Sequence, residues 1–92
     1  MTTNNNITIY TDSLCPFSKE LIADLSKAGV SYKLKLADKD MEAAIEMNKL
    51  TQDIKTPVVK IVQGEIQTVL VGYTNENKKK LEQLLQVNLE IR

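Results

Sequence analysis

The chain has 92 residues, 12 basic and 12 acidic side chains, a single cysteine and no histidine. That length suits one small domain with a modest core, and the balanced charge argues against nucleic-acid binding through bulk electrostatics. No stretch reaches the length of a membrane span, one cysteine excludes an internal disulfide, and the missing histidine removes Cys/His dyads and the usual zinc-ligand sets.

The start, Met1-Thr2-Thr3-Asn4-Asn5-Asn6, is polar and lacks the basic and apolar parts of a signal peptide. It is expected to form a flexible tail over residues 1–6, with one domain over 7–92 and a reducing, cytoplasmic location. Ile7-Thr8-Ile9-Tyr10 is apolar and β-branched and predicts a first strand. Leu21, Ile22, Leu25 and Ala28 recur at three- and four-residue spacing and predict a helix, with Gly29 as its stop. Residues 30–36 alternate apolar and polar side chains, as a half-buried strand does. Asp38 or Asp40 caps a second helix whose apolar stripe is Met41, Ala44, Ile45 and Leu50.

Thr56-Pro57 leads into a strand over residues 58–62, Gln63-Gly64-Glu65 makes a turn, and residues 66–71 return as the second arm of a hairpin. Gly72 ends that arm. Thr74 or Asn75 caps a last helix, with Leu81, Leu84, Leu85 and Leu89 facing inward. Its Lys78-Lys79-Lys80 run reads as a solvated face. The order β-α-β-α-β-β-α implies a right-handed parallel crossover followed by an antiparallel hairpin. The expected fold is therefore α/β, a mixed four-stranded sheet flanked by three helices.

Cys15 stands where the first strand gives way to the first helix, in Cys15-Pro16-Phe17-Ser18. A thiol there faces unpaired N–H groups and the positive end of the helix dipole, and both favour the thiolate. Pro16 suits the first helical turn, where its missing N–H is not needed. A lone cysteine is often a small buried apolar residue, but this placement favours a redox nucleophile that attacks disulfide sulfur. Ser18, three residues on, either donates a hydrogen bond to the thiolate or satisfies the helix start. A hydroxyl cannot resolve a mixed disulfide, so a second thiol must come from outside the chain.

The element order and the residues at its joints resemble a glutaredoxin, within the thioredoxin superfamily. Ile9-Tyr10-Thr11 followed by Cys15-Pro16-Phe17 is similar to the strand and active-site turn of that family. Thr56-Pro57 matches its cis-proline position, and Val71-Gly72-Tyr73 matches the glycine that ends its fourth strand. The resemblance implies a thioredoxin-like fold and a cis bond after Thr56. It also implies a groove in which Thr56, Pro57, Tyr73 and Thr74 contact glutathione or an extended peptide. Phe17 would form an apolar lip beside the thiol.

Two features depart from the family. Ser18 stands where dithiol members carry a second cysteine, and Asp12 stands where many members carry a lysine that helps bind the glutathione carboxylate. Asp12 is expected either to raise the thiol pKa and repel an anionic tripeptide, or to cap the active-site turn. Lys19 either offsets it or points into water.

The expected function is reduction of protein or glutathione mixed disulfides by a monothiol route. Glutathione is the reducing co-substrate, disulfide-containing or glutathionylated proteins are the partners, and the chain acts as a monomer without metal or bound cofactor. A [2Fe–2S] cluster shared by two chains and two glutathiones is disfavoured by Pro16 and by the missing upstream lysine. Two alternatives stand beside this: a dithiol electron donor whose second cysteine has been replaced by Ser18 by design, and a non-catalytic peptide-binding module using the Thr56-Pro57 groove.

Overall fold

A computed structural model describes residues 5–52, 55–87 and 89. Strand β1 (Asn5–Thr11) is followed by helix α1 (Pro16–Lys27), strand β2 (Lys33–Leu36) and helix α2 (Met41–Leu50). The hairpin strands β3 (Val58–Gln63) and β4 (Ile66–Val71) then lead to helix α3 (Asn75–Leu85). The sheet order is β2-β1-β3-β4, with β1 parallel to β2 and antiparallel to β3, and β3 antiparallel to β4. This is the thioredoxin-like α/β architecture. None of the described helices is long and apolar enough to cross a membrane.

β1 is central because it is apolar enough to be covered on both faces. Ile7 and Ile9 point to one side and Thr8 and Tyr10 to the other, as strand alternation requires, and all four are buried. In register, Ile7 lies opposite Ile61, and Ile9 opposite Val59, which in turn lies opposite Leu70. These five residues form one apolar face, and Leu21 and Leu25 of α1 with Leu81 of α3 close over it. Leu89 completes the cluster. On the other face the Tyr10 hydroxyl donates to Glu46 of α2 at 2.9 Å, which places α2 on the opposite side of the sheet.

The ends of the elements follow their local chemistry. α1 stops where Gly29 takes a φ of +73°, a left-handed conformation that glycine adopts without Cβ strain. Asp40 caps α2 by accepting the Glu42 N–H at 3.0 Å, which settles the choice between Asp38 and Asp40. Thr74 caps α3 by accepting the Asn77 N–H at 3.1 Å.

Two boundaries differ from the sequence expectation. Asn5 and Asn6 belong to β1 and pair with Gln63 and Val62, so the first strand reaches into the expected tail; residues 1–4 lie outside the described residues. β2 spans only Lys33–Leu36, which pair with Thr8, Ile9, Tyr10 and Thr11 of β1; Val30 and Tyr32 reach the core from the loop before it.

The stripe of α2 also differs in part. Met41 is 79% and Ile45 48% exposed, whereas Ala43 keeps 1% of its surface. Ala44 and Leu50 are half-buried as expected, and Glu46 and Met47 join them on the packed side. Ala43 has the small side chain a close helix–sheet approach needs, and Glu46 is drawn inward by Tyr10 and by Lys35, whose Nζ lies 2.7 Å from its carboxylate. Burial and the Glu46 bond push the Tyr10 hydroxyl up to about 12.

Truncating the fully buried Leu25 to alanine is therefore expected to cost about 2–5 kcal/mol. Met41→Ser should stay within about 0.5 kcal/mol of the parent. Urea denaturation checks both, the first variant testing the packing of α1 on the sheet and the second the exposed face of α2.

Candidate active site

The turn between β1 and α1 is built by its own side chains. Asp12 Oδ1 accepts the Leu14 N–H at 3.0 Å, an Asx-type turn. The Ser13 N–H and hydroxyl donate to Asp38 Oδ2 at 3.2 and 2.8 Å, tying this turn to the loop after β2. The Ser13 hydroxyl is the main cause that holds the Asp38 carboxyl below its ordinary value. Asp12 thus has the turn-capping place that was one of its two sequence readings.

Cys15 is the N-cap residue of α1 and Pro16 its first helical residue. Cys15 keeps 9% of its surface. The Thr56 hydroxyl donates to Cys15 Sγ at 3.1 Å, and the thiol itself points to the Thr56 carbonyl at 3.7 Å. The Thr56–Pro57 peptide bond is cis. Ser18 sits one turn into the helix, 2% exposed, its hydroxyl hydrogen-bonded to that of Thr11 at the end of β1.

Burial pushes the Cys15 thiol up, but it is outweighed by the Ser18 hydroxyl, the Thr56 hydroxyl, the Ser18 N–H and the Thr11 hydroxyl. The thiol therefore lies below its ordinary value, contrary to the expectation that Asp12 would raise it. Hydrogen bonds to the ionised sulfur win because a charged acceptor gains roughly 1.5–3 kcal/mol from each good donor, while the residual opening at Sγ limits the cost of burial.

Phe17, Lys55, Thr56, Gly72, Tyr73 and Thr74 line one groove of about 550 Å³. Phe17 is 59% and Leu14 83% exposed, so two large apolar side chains project beside the thiol. Cys15 and Ser18 open on a second, smaller depression of about 280 Å³ between α1 and β2, where Lys19 also lies. The structure thus brings Cys15, Ser18 and Thr56 together and sets Phe17, Tyr73 and Thr74 around the adjoining groove. Pro57 is buried behind Thr56.

Some residues that shape the site carried no signal of their own. The Tyr73 hydroxyl donates to Asp24 of α1 at 2.6 Å, so it is committed to the scaffold and Tyr73 offers its ring to the groove. Burial, followed by the bond to Asp24, pushes that hydroxyl well up. Lys78 of α3 completes the clamp, with Nζ 3.4 Å from Asp24 and 5.8 Å from the centre of the Tyr73 ring. Asn77 donates to the carbonyls of Val71 and Gly72 at 2.9 and 2.7 Å and fixes the end of β4. The Gly72 N–H donates to the Pro57 carbonyl at 2.7 Å, joining both walls of the groove. A polar residue in the first turn of α3 and an acid on the inner flank of α1 were the available hints; Asp24 meets Tyr73 across 49 residues, too far to be paired by spacing, and Asn77 bonds backbone carbonyls that no side-chain pattern marks.

A strand–turn–helix thiol facing a cis-proline loop defines a thioredoxin-fold redox protein. The glutaredoxin family model matches residues 7–66, more than half of the chain, and the chain belongs to the glutaredoxin family. A glutaredoxin from Archaeoglobus fulgidus is 26% identical, with a TM-score of 0.64 over 87% of this chain and 85% of that one. A mutant of the thioredoxin-like protein BC3987 is 28% identical, with a TM-score of 0.72 over 89% of this chain and 96% of that one. The glutaredoxin-like NrdH-redoxin of Escherichia coli shares the fold at 22% identity, with a TM-score of 0.63 over 83% of this chain and 93% of that one. No curated protein matches the sequence.

Replacing Thr56 by valine keeps the shape and removes the hydroxyl donor to Sγ. The pH midpoint of Cys15 alkylation should move up, with alkylation below the midpoint slowed by roughly tenfold. The sign of the linked stability follows. A depressed folded-state value contributes stability that is complete above the unfolded thiol value and is lost as pH falls through the folded one. The difference in denaturation midpoint between the parent and Cys15→Ala should accordingly shift toward the parent as pH rises across that window.

Proposed function

We propose that the chain is a thiol–disulfide oxidoreductase that reduces glutathione mixed disulfides of proteins by a monothiol route. The Cys15 thiolate attacks the glutathione sulfur of a mixed disulfide, forms a bond to it and expels the protein thiolate, which takes up a proton. A second glutathione thiolate then attacks the Cys15-bound glutathione, producing oxidised glutathione and returning the Cys15 thiolate. Both electrons that reduce the protein thus come from two glutathione molecules.

The observation that carries this reading is the Thr56 hydroxyl 3.1 Å from Sγ at the start of α1, where the thiol is held below its ordinary value. Lowering the thiol raises its thiolate fraction at a given pH and makes Cys15 a better leaving group in the second step. The Thr56 backbone would pair with the extended cysteinyl part of glutathione, as an added strand does. Thr74 and the Tyr73 ring would flank its remaining length. Because Asp12 is engaged by the Leu14 N–H, it acts as a turn residue, and Lys55 on the groove wall supplies positive charge near a bound carboxylate. A reducing, cytoplasmic setting suits a chain whose one thiol must stay free.

A second reading is favoured by Leu14 and Phe17, which project as an apolar rim around the thiol. In it the reductant is a protein dithiol that docks on this rim, and glutathione serves poorly.

Glutathione-dependent turnover of a glutathionylated peptide tests the first reading. Turnover by the parent with background rates for Cys15→Ser is expected, whereas undiminished turnover by Cys15→Ser would end it. Reduction driven by a thioredoxin-type protein dithiol, with little by glutathione, would select the second.

A further inference from the structure

Thr11 and Ser18 come from different elements, the last residue of β1 and the third residue of α1, and each keeps 2% of its surface. Their hydroxyls are hydrogen-bonded to each other, and both residues line the depression on which Cys15 opens. Each hydroxyl has one proton to give and lone pairs to receive, so the direction of this bond decides what Ser18 can offer the sulfur.

Both neighbours of this pair of contacts, Thr11 and the thiol, have other partners as well. The Thr11 hydroxyl can also donate to the Asp12 carbonyl, 3.3 Å away. The neutral thiol has its own acceptor in the Thr56 carbonyl at 3.7 Å. Two self-consistent arrangements result. With Cys15 protonated, its S–H faces Thr56, Thr11 donates to Asp12, and Ser18 donates to Thr11. With Cys15 ionised, the sulfur needs donors: Ser18 turns its proton toward it, and Thr11 turns away from Asp12 to donate to Ser18. The two hydroxyls only rotate, and the thiol proton departs to water.

We propose that Thr11 is a positioning residue for the Cys15 thiolate, its hydroxyl holding Ser18 from behind so that the single Ser18 proton faces the sulfur. The inference rests on the reading of Cys15 as the exchange nucleophile and assigns a role to a residue outside the Cys15-Pro16-Phe17-Ser18 motif. Burial pushes the thiol up, and the Ser18 hydroxyl is the foremost of the groups that counter it. Because Thr11 is buried, water cannot replace its hydroxyl, and the lost bond would leave Ser18 facing an apolar wall.

The test is the pH dependence of Cys15 alkylation by iodoacetamide in the full chain. It compares the parent, Thr11→Val, Thr11→Ser, Ser18→Ala and the Thr11→Val/Ser18→Ala double variant. Thr11→Val should move the midpoint to higher pH and slow alkylation at pH 7 by about three- to tenfold. Thr11→Ser should restore the parent profile, and Thr11→Val should add nothing on the Ser18→Ala background. A parent-like midpoint for Thr11→Val, or a full effect of Thr11→Val without Ser18, would overturn the proposal. A parent midpoint at the ordinary thiol value would instead overturn the nucleophile reading, and the relay with it. Thr11→Ala carries the same expectations should valine disturb folding, which circular dichroism reads directly.

Discussion

β1 is hydrogen-bonded along both edges and covered on both faces, and the geometry at the thiol follows from where it ends. Its pairing with β2 and β3 leaves no freedom in the position of Thr11. The short turn after Thr11 must then deliver Cys15 to the start of α1, which is itself anchored to the sheet by Leu21 and Leu25. The antiparallel pairing of Tyr10 with Val58 brings the start of β3 alongside the end of β1. Thr56, 41 residues from Cys15, reaches the sulfur for that reason. The thiol is thus set by a sheet register before any group near it acts chemically.

On that frame the chemistry is a contest between solvent and hydrogen bonds. Covering a thiol disfavours its charged form. Here hydroxyls and an N–H stand among the apolar side chains around the sulfur, and they solvate the thiolate where water is excluded. The helix N-terminus adds a further 0.3–1 kcal/mol or so in the same direction. Buried hydroxyls are favourable only when every proton has an acceptor, and the Thr11–Ser18 pair meets that condition by passing its second proton to the Asp12 carbonyl or to the sulfur.

The groove is held from the other side by a clamp of charged groups. Asp24, Tyr73 and Lys78 link α1, the end of β4 and α3, with the side chains of Asp24 and Lys78 only 17% and 11% exposed. Asn77 and the Gly72 N–H lock the same segment to β4 and to Pro57. A rigid wall of this kind lets a shallow groove present a fixed outline to an extended ligand, limiting the ordering cost of binding.

The sequence by itself determined the element order, the hairpin and the thiol at a helix start, because each is written locally, whereas Thr56, Pro57, Tyr73 and Thr74 were singled out by the family resemblance. Alternation marks strands, three- and four-residue spacing marks helices, and a proline after a cysteine marks a first turn. It misplaced part of the packed face of α2, since Met41 and Ile45 are the more apolar residues there while close packing selected Ala43 and a charge pair drew Glu46 inward. It left the role of Asp12 open, because local residues do not reveal whether a carboxylate meets a thiol or a nearby N–H. Only the tertiary structure decided that Asp12 caps the turn, that Thr11 backs Ser18 and that Asp24 and Lys78 hold Tyr73. Asp24 and Tyr73 lie 49 residues apart in the chain, and even the local contacts have energies that depend on burial and distance, which the order of residues alone does not contain.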